Sequence, residues 1–345
     1  MKNSALENKD KVTKIFITGV AGFLGSHIAD CFLQDNYEVV GCDNLIGGDI
    51  DNIPKGVEFH NVDCNNLKEL VNISKNCDIF YNCAATAYEG LSSFSPHLVT
   101  SNVFQNSVSL FSAAIQNKAK RIVHCSSMAR YGRNKTPFTE DQVPNPVDPY
   151  GIAKLAAEQT LKALCSIHGT EFCIAVPHNI IGPRQKYDDP YRNVASIMIN
   201  MMLQGRQPII YGDGEQKRCF SFIDDCIYCL KEMAFSKHVI GETINIGPDE
   251  EPISINYLAE IIANHLQFNL NPTYLPDRPL EVKTATCSSD KARKLLGYET
   301  KTNLSNGIKK TIDFINDKGI KKFNYHLDIE ILNEKTPITW KEKLF

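Results

Sequence analysis

Short runs of consecutive apolar residues alternate along this chain with stretches whose apolar positions recur every three or four residues. Residues 14–18, 37–43, 57–62, 77–82, 121–125 and 172–176 are of the first kind. They are too short for helices and apolar on both faces, which predicts strands covered on both sides. Residues 24–35, about 96–117 and a segment opening at Pro149 carry the helical spacing. Strand and helix in regular alternation predict an α/β fold, a doubly wound parallel sheet closed by right-handed crossovers.

The rhythm changes past residue 178. Turn clusters at Gly182-Pro183, Asp188-Asp189-Pro190, Gly212-Asp213-Gly214 and Gly247-Pro248 divide shorter, mixed elements. The expected organisation is a sheet domain over 13–178, with a return to it within 219–246 near residues 242–245. A smaller mixed α/β lobe over 179–320 ends on a helix at about 304–317. A C-terminal extension, 321–345, holds Trp340 and is expected to pack as a surface arm or a subunit contact.

Composition narrows the partners. Across 345 residues a hydrophobic share of 43% allows a sizeable core, and a net charge of −3 offers no basic surface. Neither nucleic acid nor an anionic membrane is therefore expected, and a phosphorylated ligand has to be held by local arginines and backbone amides. Residues 1–14 lack the apolar stretch of a secretory signal, and no run reaches the ~18 apolar residues of a spanning helix. A soluble, cytoplasmic protein is expected. The 12 cysteines are scattered through apolar runs and read as buried reduced thiols. Cys226 and Cys229 form one CxxC, but no second pair or nearby histidine completes a zinc set, so no metal is expected.

Gly19, Gly22 and Gly25 fall between the first strand and the first helix, which opens with Phe23 and Leu24. Glycines there permit a tight turn and close approach to a pyrophosphate at the helix N-terminus. A glycine-rich turn without a ligand is the alternative. Asp43 ends the second strand, with Asn44 beside it. A carboxylate there binds ribose hydroxyls and repels a 2′-phosphate, favouring NAD over NADP. Asp63 and Cys64 after the third strand, Ala84 and Ala85 after the fourth, and Pro177 after the sixth stand at strand carboxyl ends, where such sheets bind ligands.

Tyr150 and Lys154 are one helical turn apart and so share a face. A phenol is a poor base at neutral pH, but a neighbouring ammonium and a cationic nicotinamide favour its phenolate, which can take a hydroxyl proton as hydride leaves the same carbon. A surface Tyr–Lys pair is the plain alternative. Ser126 and Ser127 follow the fifth strand and can orient the same oxygen.

Taken in order, the glycine loop, Asp43, a strand-end serine and YxxxK resemble the extended short-chain dehydrogenase/reductase superfamily, and within it the NAD-dependent epimerase/dehydratase family acting on nucleotide sugars. The likeness runs from about residue 13 to 316. It implies Gly19, Gly22 and Gly25 at the pyrophosphate, Asp43 at ribose, Asp63 at adenine, and Ser127, Tyr150 and Lys154 as the catalytic trio. Ser127 is preferred to Ser126 because the family's hydroxyl precedes by four residues the tyrosine of a YG pair, here Tyr131-Gly132. Residues 177–183 resemble the family's segment at the sugar diphosphate and imply Asn179 there. Residues 212–224, following Tyr211, resemble its GxGxQxRxFxxxxD segment and imply Arg218 at the diphosphate. Residues 277–281 resemble its RxGD segment, implying Arg278 at phosphate and Glu281 at ribose, with Leu280 in place of the usual glycine. Residues 86–95 and 185–194 are expected to line the sugar pocket, with Tyr88, Glu89, Met128, Arg192, Val194 and Tyr211 among its contacts.

Met128-Ala129 stand where the family's 4,6-dehydratases carry an Asp-Glu pair, and Ala129 where its GDP-mannose 3,5-epimerases carry cysteine. Neither reaction is expected, which leaves oxidation at C4. Likeness to GDP-sugar members points to a GDP-sugar 4-dehydrogenase, such as one for GDP-heptose in bacterial surface-polysaccharide synthesis. The alternatives are a UDP-hexose 4-epimerase and an NAD-bound sensor without chemistry. The family also implies a homodimer or larger homo-oligomer.

Overall fold

The computed structural model describes residues 14–250 and 252–345. The polar N-terminal segment and the expected domain start at residue 13 lie outside the described residues. At the centre is a seven-stranded sheet made of β1 (Lys14–Thr18), β2 (Glu38–Asp43), β3 (Val57–Asn61), β4 (Ile79–Asn82), β5 (Arg121–Cys125), β6 (Glu171–Pro177) and β7 (Thr243–Ile246). Their spatial order is β7-β6-β5-β4-β1-β2-β3, and every neighbouring pair is parallel. The order reverses between β1 and β4, so a crevice opens beyond the carboxyl ends of those strands.

The longer helices are α1 (Phe23–Gln34), α2 (Asn106–Gln116), α3 (Pro149–His168), α4 (Val194–Leu203), α5 (Ile223–Glu232), α6 (Ile255–Leu266) and α7 (Leu304–Lys318). β1 shows why its run is apolar throughout. Ile15 and Ile17 join the core under α1 and α5, while Phe16 between them joins the core under α2 and α3, and all three are fully buried. Cys226 and Cys229 lie on the buried side of α5, and all twelve cysteines are free thiols. α4, α6 and α7 pack around Ile199, Leu258 and Ile308 into a second core.

α3 is delimited at both ends by its own sequence. The Asp148 side chain accepts from the Gly151 amide at 2.8 Å, Pro149 fills the first turn, and Gly169 ends the helix at φ 75°. The helix expected over 96–117 is interrupted. Pro96–Thr100 and α2 are joined by a wider π-type turn, Ser101–Gln105. Such turns collect at functional sites and leave no mark on hydrophobic spacing. This one brings the Asn106 side chain to donate to the Ala84 carbonyl at 3.1 Å, beneath the crevice.

Residues 321–345 form an arm with one short helix, Ile338–Lys341. It is anchored rather than loose. The Trp340 indole donates to the Pro190 carbonyl at 3.0 Å, and the Tyr191 hydroxyl donates to Leu327 O at 2.9 Å. Glu330 accepts from the amides of His97 and Leu98 at 2.9 and 2.7 Å. Among the described residues no helix is long and apolar enough to cross a membrane, and no group of three or more His, Cys, Asp or Glu is placed to hold a metal ion.

Candidate active site

One cleft of about 490 Å³ runs from the crevice between β1 and β4 across to the second core. At its β1 end Gly19 adopts φ 72°, and its amide donates to Cys42 O at 2.8 Å, turning the chain from β1 towards α1. A Cβ on Gly25 would lie 2.8 Å from the Gly19 carbonyl carbon and closer still to its oxygen, so only glycine lets α1 start this close to the turn. A Cβ on Gly19 would lie 2.8 Å from the Ala84 amide, so the ends of β1 and β4 meet backbone to backbone. α1 has no acidic residue in its first turn and no side-chain cap, which leaves its opening amides and positive dipole end to an anion.

Asp43 is buried at the end of β2, with its carboxylate accepting from Ala21 N at 3.1 Å and Leu45 N at 2.8 Å. Burial holds its pKa above the usual carboxylate value in spite of those amides. The Asn44 side chain donates to the Asp63 carboxylate at 3.1 Å, joining the carboxyl ends of β2 and β3 at one rim. Cys64, Ala85 and Pro177 line the same space. This cradle suits a dinucleotide: bare glycines and a helix start without a side-chain cap for a pyrophosphate, and a buried carboxylate at the carboxyl end of the neighbouring strand for a ribose.

The two serines after β5 face different ways. Ser126 is turned inward and hydrogen-bonds the buried Glu158, which also pairs with Arg130 at 2.9 Å. Ser127 opens the short turn Met128–Arg130, accepts from Ala129 N at 3.2 Å, and lines the cleft together with Tyr150. Lys154, one turn along α3, donates to the Cys125 carbonyl at 2.8 Å, and its ammonium lies 5.9 Å from the centre of the Tyr150 ring. Burial raises the pKa of Tyr150, the negative charge of Glu89 adds to that, and the Ser127 hydroxyl and Arg192 oppose it. Burial also brings Lys154 down to about 8.

Glu89 is exposed on the cleft wall, yet the enclosing walls and nearby Asp148 raise its pKa to about 7. The Tyr88 hydroxyl donates to Asp189 at 2.6 Å, and the Arg192 guanidinium stands 5.9 Å over the Tyr88 ring. Farther out, Glu281 bridges two arginines, accepting from Arg218 at 3.3 Å and from Arg278 at 2.8 Å. Arg278 also stacks 5.1 Å above Tyr211. Asn179, at φ 45°, donates to Cys219 O at 2.9 Å, and Val194 begins α4.

The structure thus brings all the sequence-predicted site residues to this cleft except Met128. The turn after Ser127 rolls Met128 into the core under α3, where it is 9% exposed and borders an adjoining cavity of about 100 Å³. Lys186 and Asp189 lie in the cleft within the expected 185–194 stretch, while Asn102, Asn106, Trp340 and Phe345 are among the cleft residues that the sequence reading did not place there. For the last two the available signal was the chain's single tryptophan, in the C-terminal tail.

The NAD dependent epimerase/dehydratase family profile matches residues 15–247. A putative UDP-glucose 4-epimerase of Methanocaldococcus jannaschii is 32% identical, the alignment covering 87% of this chain and 98% of that protein. The UDP-glucose 4-epimerase of Mycolicibacterium smegmatis is 30% identical over 88% of this chain and 99% of its own length. The solved structure of UDP-glucuronic acid 4-epimerase from Bacillus cereus, in complex with UDP-glucuronic acid and NAD, superposes with a TM-score of 0.83 at 29% identity, covering 89% of this chain and 100% of that one.

Proposed function

The chain belongs to the NAD-dependent epimerase/dehydratase family, and we propose that it is a UDP-hexose 4-epimerase. The observation that carries the reading is the trio of Ser127, Tyr150 and Lys154, gathered in one cleft with a dinucleotide cradle. NAD, when bound, would supply the hydride acceptor and donor for C4 of the sugar. The glycine turn and the start of α1 would hold its pyrophosphate, and Asp43 its adenosine ribose. Tyr150 removes the proton of the C4 hydroxyl while Ser127 holds the same oxygen. Lys154, fixed on the Cys125 carbonyl, supplies the positive charge that offsets burial of the phenolate. Arg218 and Arg278 grip the diphosphate, so the ketone can turn over about a held tether and present the other face of C4, and Tyr150 returns the proton to the C4 oxygen. Met128 and Ala129 supply no acid or base beside Ser127, which argues against dehydration and 3,5-epimerisation.

The sequence alone favoured a GDP-sugar 4-dehydrogenase. The named relatives favour the 4-epimerase, because their own names assign them to UDP-sugars and to inversion at C4. An intact catalytic trio speaks against a non-catalytic NAD sensor. The test is to incubate the NAD-loaded protein with UDP-glucose and separately with a GDP-sugar, then follow product stereochemistry by NMR and cofactor absorbance. The C4-inverted UDP-sugar without net cofactor reduction is expected. Net reduction with release of a keto sugar would replace the epimerase by a dehydrogenase.

A further inference from the structure

The C-terminal arm lies beyond the stretch matched by the family profile, yet it reaches the cleft. Trp340 is 4% exposed and wedged between two segments of the cleft wall. Its indole nitrogen is fixed on Pro190 O, and its ring lies 5.8 Å from that of Tyr191 and 6.2 Å from that of Phe94. Gly90 packs beside it: a Cβ there would stand at ordinary contact distance, 3.4 Å from the indole and 3.8 Å from the Arg278 guanidinium. Trp340 therefore stands where the Glu89–Gly90 segment of the pocket meets the arginine that grips the diphosphate. It shares one apolar cluster with Tyr88 and Tyr150.

The arm is held there by independent ties. The Tyr211 and Thr339 hydroxyls are 2.6 Å apart, the Tyr325 hydroxyl donates to Thr339 O at 3.0 Å, and Arg206 donates to Leu344 O at 2.7 Å. Thr339 is fully buried. A rigid aromatic face with its only polar atom already satisfied has two uses in a sugar pocket. It stacks on the C–H face of a pyranose, and it excludes substituents that would need its volume.

On the nucleotide-sugar reading above, we propose that the arm, residues 321–345, is a wall of the sugar compartment, and that Trp340 sets the size of sugar the site accepts. The chain holds a single tryptophan, so its fluorescence reports on this wall alone. With the NAD-loaded full chain, titration of a UDP-sugar that is turned over should shift or quench the emission saturably. An unchanged emission at saturation overturns the wall. The second measurement is kcat/KM for UDP-xylose, UDP-glucose and UDP-N-acetylglucosamine, a ladder of increasing size, in the wild type, Trp340→Phe and Trp340→Ala. Trp340→Ala should raise kcat/KM for the largest sugar relative to the best wild-type substrate by about tenfold, the order expected for a space-filling contact in a pocket. Trp340→Phe should stay near the wild-type ratio. A Trp340→Ala ratio that does not move while the wild type turns over UDP-sugars overturns this proposal and leaves the proposed function standing. A wild type that neither binds nor converts any nucleotide sugar overturns both. If Trp340→Ala does not fold, Trp340→Leu takes its place in the same ladder, with the same shift expected and an unmoved ratio refuting, and the wild-type emission still tests the wall.

Discussion

Replacing Gly25 by alanine tests the dinucleotide cradle by adding one methyl group. The new Cβ would meet backbone, not a yielding side chain: the Gly19 carbonyl, with its carbon at 2.8 Å, and Val20 Cα at 3.0 Å. α1 and the glycine turn must separate by roughly 1 Å, and overpacking of this kind costs about 1–3 kcal/mol. The same movement withdraws amides from the pyrophosphate. Losing one charge-assisted hydrogen bond costs about 1.5–3 kcal/mol, so the Kd for NAD should rise roughly 10- to 100-fold. Urea unfolding with and without NAD reads both effects. At a concentration one hundred times the wild-type Kd, NAD stabilises the wild type by about 2.7 kcal/mol. A 30-fold weaker Gly25→Ala would gain only about 0.9 kcal/mol from the same addition. Gly169→Ala is the control. Nothing lies within 4 Å of its Cβ, but φ is 75°, so it should cost about 1 kcal/mol of stability and leave NAD affinity alone. If Gly25→Ala kept apo stability within about 0.5 kcal/mol and affinity within about threefold, the tight turn could not be what holds the pyrophosphate.

Four further outcomes are expected. Tyr150→Phe should bind NAD normally and lose turnover by at least about 100-fold; retained activity would remove Tyr150 from the proton-transfer role. Burial holds Lys154 at about 8, well below an ordinary lysine. Above that pH the unfolded chain keeps a proton the folded one has lost, so this group adds stability as pH rises from about 8 towards 10. The stability of the wild type relative to Lys154→Met should therefore rise over that interval, and a constant difference would contradict the depressed value. Arg218→Met should raise KM for the nucleotide sugar about 10- to 100-fold with kcat less affected; a fall confined to kcat would place Arg218 elsewhere in the reaction. Glu158→Ala strands Arg130 in the interior, where the two side chains are 1% and 4% exposed. It should cost about 3–5 kcal/mol in urea unfolding, and a loss under about 1 kcal/mol would show that the pair is dispensable.

The sheet was readable in the sequence because both its faces are buried. An apolar run such as 14–18 fits little else, and the glycine turn and Asp43 recur at fixed points relative to such runs. The Asp148-Pro149 start of α3 and the Tyr150–Lys154 spacing are local signals too, so they carried over directly. Other features depend on tertiary contact and left no local trace. The turn at 101–105 keeps the hydrophobic spacing of a plain helix while redirecting Asn106. Met128 looks like a neighbour of Ser127 in sequence, but one short turn sends it into the core. Trp340 is far along the chain from the cleft residues its ring packs against, Gly90, Phe94 and Tyr191, and nothing in the spacing of the tail marks that position.

That distance has a consequence for how the enzyme is made. The bonds from Glu330 to the amides of His97 and Leu98 span 233 and 232 residues, among the slowest kind of contact to form. Domains emerge from the ribosome N-terminal part first. A nascent chain that has finished β1 to β7 already possesses its cofactor cradle and its tyrosine. On the role proposed for the arm, such a chain lacks one side of its sugar chamber until residue 340 has been translated and folded back. A chain ending before the arm should then bind NAD yet discriminate poorly between sugars.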